Sequence, residues 1–146
     1  MLLLPKMNDL RQIRIAIPAW ATWLYVLISI GLIPWTVYLS FALPAHHLTR
    51  NWDITWVGLD VALIGSLFAT GILAKLKSIY MVVTAVMTAT LFITDAWFDI
   101  LSYHPGSHGF NEALIMAVLG EIPMAVMSLM LAVHGLHKLH TKTEDK

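Results

Sequence analysis

The sequence predicts an all-α integral membrane protein, a bundle of four transmembrane helices with both termini in the cytoplasm. Three observations predict this fold class. Hydrophobic residues make up 58% of the 146 residues and charged residues only 12%, which is more apolar surface than a soluble domain of this length can bury. The chain contains four apolar runs, each of about 20 residues or more, the length that crosses a bilayer as a helix. Lysine and arginine are distributed unevenly among the segments that connect these runs.

The four predicted spans form a single domain over the whole chain, residues 1–146. Their boundaries lie near residues 18–43, 52–74, 78–103 and 110–137. The first run is longer than the roughly 7–15-residue apolar core of a signal peptide, so we interpret it as a helix of the mature protein. A loop with Pro44 follows it. Lys75 and Lys77 flank a tight turn between spans two and three, and the Pro and Gly of HPGSHG (104–109) indicate a loop before span four.

The positive-inside rule predicts the orientation of the spans. With four spans, the head, the middle turn and the tail lie on one side of the membrane. They hold eight of the nine Lys and Arg residues, namely Lys6, Arg11, Arg14, Lys75, Lys77, Lys138, Lys142 and Lys146. The other side holds only Arg50, so we expect both termini to be cytoplasmic. The chain has no cysteine, which excludes disulfides and cysteine catalysis, and its zero net charge gives no indication of a nucleic-acid partner.

Four carboxylates lie inside the predicted spans, those of Asp60, Asp95, Asp99 and Glu121. The four-residue spacing of Asp95 and Asp99 places both on one face of a helix. At 1.5 Å per residue, Asp60, Asp95 and Glu121 lie roughly 12–16 Å below the outer edge of their spans, so three helices bring acids to one level. A carboxylate in a membrane span is costly, and each one is therefore a functional-site hypothesis.

Other residues are expected to support this site. Three polar stripes should face the interior of the bundle: Thr22, Ser29 and Thr36; Thr84, Thr88, Asp95, Asp99 and Ser102; Glu121 and Ser128. Glycines should allow helices to approach closely at Gly58, Gly65 and Gly120. Pro34 and Pro123 cannot donate hydrogen bonds to the carbonyls of Ile30 and Leu119, which would leave these oxygens as ligands beside the acids.

No Lys or Arg lies within the spans to neutralise the four acids, although Arg50 could reach one of them from the outer loop. Two outcomes are physically sensible. Protonated acids could hydrogen-bond to each other and hold the helices together. Alternatively, the cluster binds a cation, which could be a proton, a metal ion or an organic amine. An organic cation could contact the faces of Trp56 and Trp97, and a metal could use His104 and His108 as additional ligands.

Three segments resemble a known pattern: WVGLD (56–60), DAWFD (95–99) and EIP (121–123). Together they are similar to a pattern in a family of small four-helix bacterial integral membrane proteins of unassigned activity. The likeness covers roughly residues 52–131, and DAWFD is its most specific part. The resemblance implies a helical bundle in the bacterial inner (plasma) membrane, and it implies no activity.

These observations favour a small inner-membrane protein that binds or transports a cation or a cationic amphiphilic molecule at an outward-facing site. A chain of this size would need to form a homodimer to build a path across the membrane. One alternative is a metal-dependent intramembrane enzyme that acts on a lipid or a peptide. No HExxH motif or Ser–His–acid arrangement is evident, so we favour a non-enzymatic function. Another alternative is an immunity or scaffold protein that binds a partner in the membrane without turnover.

Overall fold

The structure is a computed structural model that describes residues 17–42 and 51–144, except for the side chains of residues 142–144. The described chain forms α1 (Ala19–Ala42), α2 (Trp52–Lys75), α3 (Met81–Ser102), α4 (His108–Met116), a π-helical segment (Ala117–Glu121) and α5 (Ile122–Glu144). The last three elements are continuous and correspond to the fourth predicted span. Four stretches are long and apolar enough to cross a membrane: Ala19–Ala42, Trp52–Lys75, Met81–Ser102 and His108–Thr141.

The all-helical fold with four helices of membrane-spanning length is therefore confirmed. The predicted boundaries differ most at the start of span three, which begins at Met81, and at the end of span four, which continues beyond residue 137. The orientation stays a prediction. Much of the charge that predicts it lies outside the described residues: Lys6, Arg11, Arg14, Arg50 and Lys146.

Local sequence explains where several helices begin and end. Asn51 adopts a left-handed conformation (φ 62°) directly before α2, a conformation that asparagine tolerates better than most residues. The tight turn after α2 contains Lys77, also at positive φ (54°). Ser107 caps α4, because the Phe110 N–H donates a hydrogen bond to its Oγ at 3.1 Å. Pro34 lies inside α1 without ending it.

The helices pack in chain order. α1 packs against α2, α2 against α3, and α3 against α4, the π-helical segment and α5. Two buried apolar clusters form the core, one around Met81 and Ala85 and the other around Tyr25, Leu67 and Phe92. We call the end of the bundle near the α2–α3 turn the Lys75 end, and the opposite end, where α2 begins and α3 finishes, the Trp52 end.

Large apolar side chains cover the outside of the bundle. Trp20, Phe41 and Leu119 are 64%, 86% and 75% exposed, and many other large apolar side chains are also exposed. A helix that is apolar all round has to be surrounded by protein or by lipid. This outside surface therefore fits a multi-pass membrane protein.

Buried hydroxyl groups connect the helices towards the Lys75 end. The Thr70 and Thr88 Oγ1 atoms lie 3.1 Å apart, and Thr88 Oγ1 donates a hydrogen bond to Ser66 Oγ at 3.2 Å. The Tyr25 and Ser128 hydroxyls lie 2.9 Å apart and join α1 to α5. We call these five residues the hydroxyl layer. The predicted polar stripes do face the interior, since Thr22, Ser29, Thr36, Thr88 and Ser128 are all buried.

The close approach of α1 and α2 occurs at Gly71. A Cβ atom at this position would lie 2.8 Å from Val26 Cγ2 and 3.2 Å from the Thr22 carbonyl oxygen, so only glycine fits without a shift. The prediction that Gly58, Gly65 and Gly120 serve this purpose is wrong, because a Cβ at any of them would meet nothing within 4 Å. Sequence alone does not separate a glycine that faces a neighbouring helix from one that faces outward.

Candidate functional site

The four acids singled out by the sequence line a single cavity of about 540 Å³ in the Trp52 half of the bundle. Asp60 comes from α2, Asp95 and Asp99 from α3, and Glu121 from the end of the π-helical segment. Among the described residues that line this cavity, none is Lys, Arg or His. The cavity therefore concentrates carboxylates without a protein cation to balance them.

Asp60 is the most buried of the four acids, at 4% exposure. Its Oδ2 atom accepts a hydrogen bond of 3.1 Å from the Oγ1 of Thr36, which α1 contributes. Thr36 is itself buried, and it belongs to the polar stripe of span one. The stripe thus positions a donor that orients one carboxylate of the cavity.

Glu121 is 7% exposed, and its Oε2 atom is buried without a hydrogen-bond partner among the described residues. Leaving a buried acceptor unsatisfied costs on the order of 1–3 kcal/mol, and more if it is charged. An orphaned oxygen on a residue that lines a cavity indicates that the site lacks a donor or a cation. Among the described residues, this is the strongest single indication of a ligand.

The helix is locally altered where it presents Glu121. The Ile122 N–H donates to the Ala117 carbonyl, five residues back, as in a π-helix. Pro123 follows directly and has no N–H to donate, which removes one competing α-helical hydrogen bond. π-Helical segments are rare and occur often at functional sites. The sequence analysis missed this segment, although Gly120 and Pro123 on either side of Glu121 and Ile122 were a signal for irregular helix.

Asp95 and Asp99 are each half-buried and lie one turn apart on α3. Both face the cavity, as their four-residue spacing predicts. Asp99 is closer to the Trp52 end, beside Ser102 and Tyr103, which also line the cavity.

Three tryptophans contribute aromatic surface to the cavity, Trp35 of α1 and Trp52 and Trp56 of α2, and only Trp56 was predicted. Trp56 lines it, and so does Trp52, one turn earlier on α2. Their ring centroids lie 5.6 Å apart in an edge-to-face arrangement. Trp97 is 65% exposed and does not line the cavity. It lies two residues from Asp95, about 200° around the helix, so the two side chains cannot share a face.

The mouth of the cavity carries a fifth acid, Glu112, which was not among the predicted site residues. The Glu112 carboxylate pairs with His108 Nδ1 at 3.2 Å, and both side chains are largely exposed. Tyr103 lies beside it, and its ring packs where any Cβ at Gly109 would clash. Partial burial and the carboxylates of Asp99 and Glu112 raise the pKa of Tyr103.

The predicted metal ligands and spare carbonyls are not brought to the cavity. His104 and His108 are exposed and do not line it. Within the described residues, no group of three or more His, Cys, Asp or Glu side chains has an arrangement that could hold a metal ion. The residues whose carbonyls Pro34 and Pro123 free, Ile30 and Leu119, are exposed and are not among the lining residues. The metal site at these histidines stays a prediction without structural support.

Comparisons of the chain with protein-family models, with curated proteins and with solved structures find no match.

Proposed function

We propose that this chain is a multi-pass protein of the bacterial inner membrane that binds or transports a cation or a cationic amphiphile in the carboxylate cavity. The observation that carries the proposal is the buried, unpartnered Oε2 of Glu121 in a cavity that Asp60, Asp95 and Asp99 also line. A cation would neutralise these acids, and it would supply the missing partner of Glu121.

The size of the cavity favours an organic cation over a bare ion. Pockets for small molecules commonly measure roughly 300–1,000 Å³, whereas one water occupies about 30 Å³ of liquid. The cavity of about 540 Å³ is in the first range. Trp52 and Trp56 add aromatic faces, which attract ammonium groups by cation–π interaction.

The proposed orientation places both termini in the cytoplasm and the Trp52 end towards the outside. It rests on the positive-inside rule. Lys75, Lys77 and Lys138 belong to the Lys75 end, and the rule places this end in the cytoplasm. The carboxylate cavity then opens towards the outer surface. If the protein transports its ligand, we propose a homodimer, because four helices are few for a path across the membrane.

The test is binding of tetraphenylphosphonium, a permanently charged organic cation, to the purified protein in detergent, measured by isothermal titration calorimetry. Asp95→Asn and Glu121→Gln each remove one negative charge and keep the side-chain shape. We expect each to weaken binding by roughly tenfold or more, since the attraction between two unit charges about 4 Å apart is worth up to about 4 kcal/mol near a protein surface. Uptake of the same cation into proteoliposomes then separates transport from binding alone.

Asp53→Asn is the matched control. Asp53 is in the first turn of α2 and does not line the cavity, so its substitution removes an equal charge from outside the cavity. We expect its affinity to equal that of the wild type. The proposal would be overturned if the wild type and all three variants bound tetraphenylphosphonium equally, or if none of them bound it.

A further inference from the structure

The order of helix packing leaves one side of the bundle open. α1 contacts α2, but no described Cα atom of α1 lies within 8 Å of one in α4, the π-helical segment or α5. We call this gap between the first and last helices the seam. Residues of α1 and of the last span both line the cavity, among them Leu32 and Met116, so the cavity extends into the seam.

Side chains bridge the seam towards the Lys75 end, and the cavity occupies it towards the Trp52 end. The hydrogen bond between Tyr25 and Ser128 crosses it, and Tyr25 packs in one buried cluster with Met124 and Ala125. Nearer the Trp52 end, Leu32 of α1 and Met116 of α4 both line the cavity from opposite sides. The space beside Gly120 is also empty, since a Cβ there would meet nothing within 4 Å.

The two walls of the cavity differ in chemistry. The wall formed by α2, α3 and Glu121 carries the carboxylates. The wall formed by α1 presents apolar side chains, among them Ile28, Leu32 and Leu39. A ligand that satisfies both walls has a positive charge at one end and hydrocarbon at the other.

We infer that the ligand is a single-chain amphiphile with an ammonium head, which is bound among the carboxylates while its tail lies in the seam. This inference rests on the proposed function and narrows it to one class of cation. The ammonium head contacts Asp95 and Glu121 and the faces of Trp52 and Trp56. The alkyl tail passes between Leu32 and Met116 and leaves the cavity sideways, into the lipid that surrounds the bundle.

The test compares two probes with the same head, tetramethylammonium and decyltrimethylammonium, on the protein in zwitterionic nanodiscs, with native mass spectrometry as readout. Met116→Trp adds bulk on the last-span side of the seam and removes no acid. We expect this variant to bind the decyl probe at least tenfold more weakly than the wild type, because a head bound among the acids would then hold its tail in the polar cavity instead of in lipid, and each methylene kept out of an apolar environment costs roughly three- to fourfold in affinity. Its affinity for tetramethylammonium should stay within about twofold of the wild type. Partitioning of the probe into lipid is the same for both proteins and cancels in the ratio.

Met130→Trp is the matched control, because Met130 is an exposed methionine of the last span that does not line the cavity. It should bind both probes as the wild type does. Leu32→Phe, on the opposite wall of the seam, repeats the test if Met116→Trp does not fold. Equal losses for both probes, or none for the decyl probe, would overturn the inference and leave the proposed function intact. The proposed function fails separately, if Asp95→Asn and Glu121→Gln bind the cation as the wild type does or if none of the proteins binds it.

Discussion

The two halves of the bundle differ in how far their buried polar groups are hydrogen-bonded. In the Lys75 half, the hydroxyl layer is fully paired: Thr70 donates to the Ser66 carbonyl at 2.8 Å, and Ser128 donates to the Met124 carbonyl at 2.7 Å. In the Trp52 half, Asp60 accepts one hydrogen bond from Thr36, and Glu121 Oε2 accepts none from the described residues. Thr70, Thr88 and Ser128 are 0% exposed, whereas Asp95 and Asp99 face a cavity.

This difference separates polar groups whose partners lie within the bundle from the cavity acids, for which we propose a ligand as the partner. Hydroxyl groups can pair with each other and with helix carbonyls, so they connect helices at little cost. Carboxylates without donors cannot, and placing several around an open cavity costs stability that the single hydrogen bond from Thr36 to Asp60 returns only in part. The hydroxyl layer shows what a structural polar contact looks like in this protein, and the cavity acids differ from it because most of them have no partner in the described chain.

The largest expected effect is on stability, at the close contact between α1 and α2 in the Lys75 half. Gly71→Leu places a side chain against Val26 and the Thr22 carbonyl, where even a Cβ is too close. We expect it to lower the free energy of unfolding by about 1–3 kcal/mol, as overpacking usually does. Gly65→Leu, on the same helix with open space beside it, changes helix propensity equally and should have little effect. Unfolding in detergent, followed by circular dichroism, measures both, and equal losses would show that α1 and α2 do not pack closely at Gly71.

Much of the fold follows from the sequence, because lipid removes most alternatives to long apolar helices. The four spans could be located from Pro, Gly and charged residues between apolar runs. The heptad spacing of Thr22, Ser29 and Thr36 also identified the buried face of α1. Periodicity works here because a polar stripe in a membrane helix has a single favourable side.

The candidate site was less predictable wherever it depends on helix rotation or local distortion. Asp95 and Asp99 share a face by their spacing alone, but the rotation of α2 that selects Trp52 for the cavity depends on packing. The π-helical segment adds one residue to a turn, and this changes the direction of Glu121 in a way that ideal helix geometry does not contain. The seam exists because α1 packs closely against α2 and not against the last helix. A sequence pattern can indicate which side chains are buried, but it does not indicate which two helices stay apart.

A smaller effect is expected for the hydrogen bond that closes the seam. Tyr25→Phe and Ser128→Ala each remove one hydroxyl of the pair. In a double-mutant cycle, we expect a coupling of about 0.6 kcal/mol in the free energy of unfolding, the average for hydrogen bonds between membrane helices, for which the largest values reach about 1.7 kcal/mol. Binding of tetraphenylphosphonium should stay within about twofold in all three variants, because the pair lies outside the cavity lining. A loss of binding as large as that of Asp95→Asn would instead make the hydroxyl layer part of the site.

The smallest expected effect on stability is at the cavity, and it decides between a ligand site and a structural one. Asp95→Leu replaces a half-buried carboxylate by an apolar side chain of similar volume, a change that is often neutral or stabilising. We expect the ligand-free variant to unfold with a free energy within about 0.5 kcal/mol of the wild type, or higher. Thr88→Val, two turns earlier on the same helix, removes a hydroxyl that bonds to Ser66 and should cost about 0.6 kcal/mol. If Asp95→Leu were the more damaging of the two, the acids would be holding helices together through shared protons, and both halves of the bundle would then be structural.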